Sequence, residues 1–205
     1  AILRAGTFTD LSPLAHLPDL PPAPKLADAP PGTVSVVICT RDRPEQLARC
    51  LASLGGQSRR PDQLLVVDNA SVSPQVREAA LAAGADYVRE DRPGLDHARN
   101  AGAAAAAGDY VLYTDDDVEL HPRWIERASA AFNDDAVWAM TGLVLPGSLQ
   151  TRAEQDFEFY WGFGRGYERV DFDPAFYART RHSGCPVWHI GAGAHMGFRK
   201  GVIER

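Results

Sequence analysis

The chain of 205 residues has only three cysteines, Cys39, Cys50 and Cys185. They are too few and too scattered for a disulfide framework or a paired-cysteine zinc site. Cys39 lies inside an apolar run and reads as a buried core thiol, and so little cysteine fits a reducing compartment. No uninterrupted apolar stretch approaches the roughly 20 residues that span a bilayer. The amino terminus lacks the charged-then-apolar layout of a secretory leader. The expected setting is the cytoplasm, with peripheral attachment at the inner face of the membrane left open. Basic charge is not in excess either: the formal net charge is −6. That balance gives no electrostatic footprint for nucleic acid, so no nucleic-acid partner is expected, although a local basic pocket for a phosphate is compatible with it. The sequence does not begin with methionine and stops at Glu204-Arg205, from which a piece of a longer chain is expected. Nothing in it fixes an oligomeric state.

What is present is ordinary globular composition, 45% hydrophobic and 23% charged. The length suits one domain with a core that needs no disulfide staples. Seven of the 15 prolines fall within residues 1–33. Prolines at that density bias a chain towards extended structure, so 1–33 reads as an arm or linker. Leu11, Leu14, Leu17 and Leu20 could lay it along the domain that follows, which we place at 34–205.

Val34-Ser-Val-Val-Ile-Cys39 is a short β-branched run of the kind that forms a buried strand. Pro44 suits the first turn of a helix, whose apolar positions Leu47, Cys50, Leu51 and Leu54 recur at helical spacing before Gly55-Gly56. A second strand is expected at 64–67, a helix after Ser73-Pro74 and a third strand at 85–89. An alanine-rich helix follows at 95–107, small enough in its side chains to lie close to a sheet. A fourth strand is expected at 110–113, a helix near Pro122, and a fifth strand over 136–145. Alternating strands and helices imply an α/β fold: a Rossmann-like, mostly parallel sheet with helices on both faces, in three α/β/α layers. Ligands of such open sheets bind beyond the carboxyl ends of the strands. The residues at those ends are Thr40-Arg-Asp42, Asp68-Asn69, Glu90-Asp-Arg92 and Asp115-Asp-Asp117, all polar.

Asp115, Asp116 and Asp117 follow an apolar strand without a break. Two like charges roughly 4 Å apart repel by about 4 kcal/mol at an effective dielectric near 20. Three carboxylates kept together therefore suit a hard cation with oxygen ligands, Mg2+ or Mn2+, shared with substrate phosphates. In extended backbone Asp115 and Asp117 point to one side and Asp116 to the other, which favours the first two as metal ligands. A solvated acidic turn is the plainer reading. Asp68 could accept a hydrogen bond from a base or a ribose, or could merely form an Asx-type turn with Asn69. A dinucleotide site is disfavoured because no glycine follows the first strand. The aspartate-nucleophile phosphatase pattern fails at Val118 and Glu119. Nucleotidyl transfer would need a glycine-rich basic loop where Thr40-Arg-Asp-Arg stands. It stays as an alternative, beside a non-catalytic domain that binds a nucleotide sugar or a protein partner.

At this point the chain resembles the inverting family 2 glycosyltransferases of the GT-A fold. The resemblance is carried by Val34-Ser-Val-Val-Ile-Cys-Thr-Arg-Asp-Arg-Pro44, Val66-Val-Asp-Asn-Ala-Ser71, Arg92-Pro-Gly-Leu-Asp-His-Ala-Arg-Asn-Ala-Gly102, Gly108-Asp-Tyr-Val-Leu-Tyr-Thr-Asp-Asp-Asp117 and Gly191-Ala-Gly-Ala-His-Met-Gly-Phe-Arg199, in that order. It implies an enzyme that moves a sugar from a nucleotide-diphosphate donor, UDP-linked by preference, to an acceptor hydroxyl. The acceptor is a carbohydrate, a lipid-linked molecule or a small molecule. Thr40 and Arg41 would line the donor nucleotide's pocket. Asp68 would meet its base, and Arg99 would face the nucleotide or its diphosphate. Asp115 and Asp117 match the DxD motif: Asp115 would touch ribose or sugar, both would serve the Mn2+ or Mg2+ ion, and Asp116 would sit beside the nucleotide. Gly193 and His195 are weaker candidates for donor-sugar or acceptor contact, since His195 stands where related sequences more often carry asparagine. The family's general base lies in a segment downstream of 191–199. Asp171 and Asp173 do not match it, so the base is expected after Arg205. The aromatic segment 157–167 suits sugar rings or packing and is left unassigned, as are His121 and His189.

Overall fold

The structure, a computed structural model, describes residues 32–162, 168–184 and 190–203. Its centre is β1 (Val34–Thr40), in which every residue is buried. β1 lies between β2 (Gln63–Asn69) and β4 (Tyr110–Asp115), parallel to both, and β3 (Asp86–Glu90) extends the parallel set beyond β2. Between these strands run α1 (Pro44–Gly55), α2 (Gln75–Ala82) and α3 (Leu95–Ala105), and α4 (Trp124–Ala130) follows β4.

Alternation along β1 decides the layers. Val34, Val36 and Ile38 face one side and pack with Leu47, Cys50, Leu51 and Leu54 of α1, Val76 and Ala80 of α2, and Ile125 and Ala128 of α4. Val37 and Cys39 face the other side, where Val67, Val111 and Tyr113 meet Ala98 of α3. This is the expected three-layer arrangement, with α3 alone behind the sheet among these four helices. Burial pushes the thiols of Cys39 and Cys50 up to about 12, so both are inert core groups.

The far side of the sheet departs from the simple alternation. The fifth strand, expected over 136–145, is only β5 (Ala139–Thr141), and it does not join β4. β6 (His195–Arg199) lies between them, antiparallel to both, so the order is β3-β2-β1-β4-β6-β5. Two contacts explain the insertion. The Arg199 guanidinium donates to the carbonyls of Val137 and Phe132, both at 2.8 Å, which ties the end of β6 to the approach of β5. Gly142, directly after β5, donates to the His195 carbonyl at 3.0 Å and leaves room for its ring: a Cβ there would sit 1.9 Å from it.

Between β5 and β6 lie α5 (Arg152–Trp161) and α6 (Pro174–Thr180), neither with a buried residue. α5 begins at a reciprocal capping box between Thr151 and Glu154. The short α7 (Lys200–Ile203) follows β6 directly. At the start of the domain, Thr33 donates through its backbone and its hydroxyl to Asp109, both at 2.8 Å. The leucines of the arm, and residues 163–167 of the aromatic segment, lie outside the described residues. Among the described residues no helix is long and apolar enough to cross a membrane.

Candidate active site

The carboxyl ends of β1, β2 and β4 carry the polar clusters expected from the sequence, and side-chain bonds tie them together. The Thr40 hydroxyl, at the end of β1, donates to Asp116 Oδ2 at 2.6 Å in a buried contact. The backbone N–H of Asp42 donates to the Ser71 hydroxyl at 2.9 Å, and Asp42 Oδ1 accepts from the Val72 N–H at 2.7 Å. These bonds hold Asp42 in the left-handed region, with φ 53°, and dock the loop after β1 on the loop after β2. Asn69 does the same one strand further out. Its amide donates to the Arg92 carbonyl at 2.8 Å and its Oδ1 accepts from the Gly94 N–H at 2.7 Å, which sets the entry of α3 and so the place of Arg99.

Asp68 is buried at the end of β2 with both oxygens engaged. Oδ1 accepts from the Ser71 N–H at 2.9 Å, and Oδ2 accepts from the Tyr87 hydroxyl at 2.6 Å and from Arg89 at 3.2 Å. Burial raises its pKa, but the hydrogen bonds from Ser71 and Tyr87 and the Arg89 charge outweigh it, and the net displacement is downward. The carboxylate stays ionised and rigid. The turn it makes runs to Ser71 and not to Asn69.

The three adjacent aspartates separate. Asp115 closes β4 with its side chain 39% exposed, and Arg99 of α3 lies 3.6 Å from its Oδ1. Burial raises the Asp115 pKa; Arg99 opposes this, and Asp117 and Asp116 add to it. Asp116 turns to the opposite face, towards Thr40, as the alternation predicts. The strand stops at Asp115, however, so the period does not carry on to Asp117. Asp117 comes back towards Asp116, and one nitrogen of Arg43 reaches both, at 3.2 Å to Asp116 and 3.4 Å to Asp117. The Asp117 side chain is 56% exposed. Two carboxylates thus present oxygen donors to solvent at the carboxyl end of β4, the donor chemistry a hard cation shared with phosphates requires. Among the described residues no three acidic, histidine or cysteine side chains converge into a closed metal cage. An open, phosphate-completed site fits these residues; an all-protein cage does not.

Gly193 brings the turn before β6 against Arg99: a Cβ on it would lie 2.3 Å from the guanidinium. A side chain there would have to displace the end of Arg99. His195 pairs with Thr114 across the β4–β6 ladder, and its ring lies 5.4 Å from that of Trp124. Burial lowers its pKa, opposed by a hydrogen bond to the Leu143 backbone. His195 Nε2, Thr114 Oγ1 and Trp124 Nε1 are buried without a hydrogen-bond partner among the described residues. Arg41 pairs with its neighbour Asp42 at 3.8 Å. Asp171 pairs with Arg169, and Asp173 caps α6. His121 accepts from the Arg123 N–H, and His189 lies outside the described residues.

Arg43 and Asn69 are the site residues that the sequence reading did not single out. Arg43 stands directly before the helix-starting Pro44 and has the look of a helix flank. Its side chain makes no capping bond to α1 and is free to turn to the aspartates.

The model of glycosyl transferase family 2 matches residues 35–205. A TPR repeat-containing protein of Synechococcus elongatus is 40% identical over 106 residues, which are 51% of this chain and 25% of that protein. A pre-mycofactocin glycosyltransferase of Mycobacterium tuberculosis is 33% identical over 107 residues, 51% of this chain and 22% of that protein. Among solved structures, glucosyl-3-phosphoglycerate synthase of M. tuberculosis, in complex with Mn2+, UDP and glucosyl-3-phosphoglycerate, superimposes with a TM-score of 0.57 at 19% identity. The match covers 84% of this chain and 58% of that one. A mannosyltransferase of Pyrobaculum calidifontis, with GDP-Man and Mn2+, gives 0.60 at 18% identity, covering 88% and 49%. The chain thus spans about a quarter of the curated relatives' length and about half of the structural ones'.

Proposed function

The chain belongs to glycosyl transferase family 2, and on that premise we propose that it transfers a sugar, with inversion, from a nucleotide-diphosphate donor to an acceptor hydroxyl, using Mn2+ or Mg2+. A UDP-sugar is the favoured donor, and a carbohydrate, a lipid-linked molecule or a small molecule the acceptor. The observation that carries the reading is the junction of Thr40 with Asp116. It joins the ends of β1 and β4, with Asp68 one strand away and Arg99 and Arg43 flanking the acidic triplet. Structural relatives that hold Mn2+ with UDP or GDP-Man support it.

The strand ends around Thr40 and Arg41 take the nucleoside, and Asp68 is the carboxylate that would meet its base. Arg99 faces the diphosphate. Asp115 and Asp117 hold the cation, which supplies electrostatic neutralisation of the leaving diphosphate. Asp116, held by Thr40, keeps the turn between them in place beside the nucleotide. Gly193 lets backbone approach the donor sugar, and His195 lies behind that turn.

Calorimetric titration of UDP with and without Mn2+ is the test. Binding strengthened by Mn2+ in the wild type, with that gain lost by about tenfold or more in Asp117→Ala, is the expected outcome. Equal binding of CTP or ATP would point to nucleotidyl transfer. Absence of nucleotide binding under any of these conditions would leave an interaction domain.

A further inference from the structure

Arg43 pairs with Asp116 and with Asp117, one of the two carboxylates that would hold the cation, and its side chain is itself 53% exposed. Asp116 is fixed from the other side by Thr40, whereas Asp117 is mostly exposed, and among the described residues Arg43 is its ion-pair partner. Arg99 serves Asp115 alone. The acidic triplet is therefore partly neutralised by the protein's own guanidinium groups before any ligand arrives. A divalent cation coming to Asp117 meets a positive charge 3.4 Å from the oxygen it needs. A diphosphate coming without a cation meets Asp117, and the arginine nearest to it is already engaged.

We propose that Arg43 couples the two ligands: it pairs with Asp116 and Asp117 in the free protein and moves to a phosphate oxygen when the nucleotide binds, releasing Asp117 to the cation. This rests on the donor-binding reading above. The exchange is chemically matched, because a guanidinium pairs with carboxylate and phosphate through the same planar fork. Its long stem allows the movement without disturbing the fold, since the backbone of Arg43 accepts from the Leu47 N–H while its side chain takes no part in capping α1. Each ligand removes the obstacle to the other, so cation and nucleotide bind with positive coupling. Linkage makes that coupling the same whichever ligand is added first.

The test measures four affinities, of Mn2+ with and without UDP and of UDP with and without Mn2+, by calorimetry and by the electron paramagnetic resonance of free Mn2+. The wild type should show coupling of about tenfold or more, inside the usual 5–150-fold range. Arg43→Gln should bind Mn2+ alone several-fold more tightly and UDP alone more weakly. Its coupling should fall several-fold below the wild type's, to what the cation's shared contact with the diphosphate supplies. Wild-type coupling in Arg43→Gln overturns the proposal. Should that variant lose its native circular dichroism, Arg43→Lys carries the test: it keeps the charge but lacks the fork. Reduced coupling supports the exchange, and undiminished coupling overturns it. A wild type that binds no UDP would instead remove the donor-binding reading. UDP binding that depends on Asp117 but not on Arg43 removes only the exchange.

Discussion

His195 is a half-buried imidazole beside Trp124 and Thr114, its buried Nε2 without a partner among the described residues. Burial lowers its pKa below the usual value of about 6.5. The folded protein therefore resists protonation that the unfolded chain accepts freely. The sign follows: the histidine does not weaken the fold above about pH 7, and stability falls as pH drops below about 6.5, because the unfolded state then binds the extra proton. Melting temperature measured between pH 7.5 and 5.5 should decline on the acid side in the wild type. His195→Gln, which cannot titrate, should decline less. A wild-type melting temperature that is level or rising towards pH 5.5 would refute this. The residue's place in the later motif was legible in the sequence. Its environment was not, because Trp124 and Gly142 reach it only through tertiary packing. Asp68 shows the same limit: its strand-end position was readable, but its partners Tyr87 and Arg89 lie on a neighbouring strand. Arg43 was hidden by proximity to Pro44, since a residue flanking a helix start gives no sign of which loop its side chain turns to.

Among the elements, α3 is where packing bears most directly on the site. Gly102 faces the sheet, and a Cβ there would lie 2.6 Å from Val37 Cγ1 and 3.3 Å from Val67 Cγ2. Both neighbours are β-branched and stiff, so the helix would have to lift. Alanine gains up to ~1 kcal/mol of helix propensity over glycine, and overpacking a core costs about 1–3 kcal/mol. Gly102→Ala should therefore destabilise by about 1 kcal/mol in urea unfolding, and Gly102→Val by more. A stabilised Gly102→Ala would show that the helix rests less closely on the sheet than described. The parallel core was readable because its strands are β-branched runs and its helices carry apolar residues at regular spacing. The alanine-rich character of α3 also foretold its close approach. β6 was not readable as the partner of β4, since a ladder between 110–114 and 195–199 leaves no local trace. α5 had a signal that went unused: Thr151-x-x-Glu154 is a capping box in the sequence itself.

For the molecule as a whole, burial is unevenly divided. β1 is buried along its length, and β2 and β4 nearly so, whereas α5 and α6 have no fully buried residue. α5 instead exposes Phe159, Tyr160 and Trp161, each at least 70% accessible. Local opening is resisted by apolar contacts, so elements without them open at little cost while a central strand exchanges only through global unfolding. With a global stability of roughly 5–15 kcal/mol, amides of β1, β2 and β4 should exchange on the order of 10³-fold more slowly than those of α5 and α6. Hydrogen exchange read by mass spectrometry would show this as two separate populations of peptides. Addition of UDP with Mn2+ should slow exchange in 40–43, 68–72 and 115–117, where the hydrogen-bonded loops meet. Slow exchange throughout α5 in the free protein would mean that its aromatic face is covered. In that case the division between the buried strands β1, β2 and β4 and the exposed helices α5 and α6 would not hold.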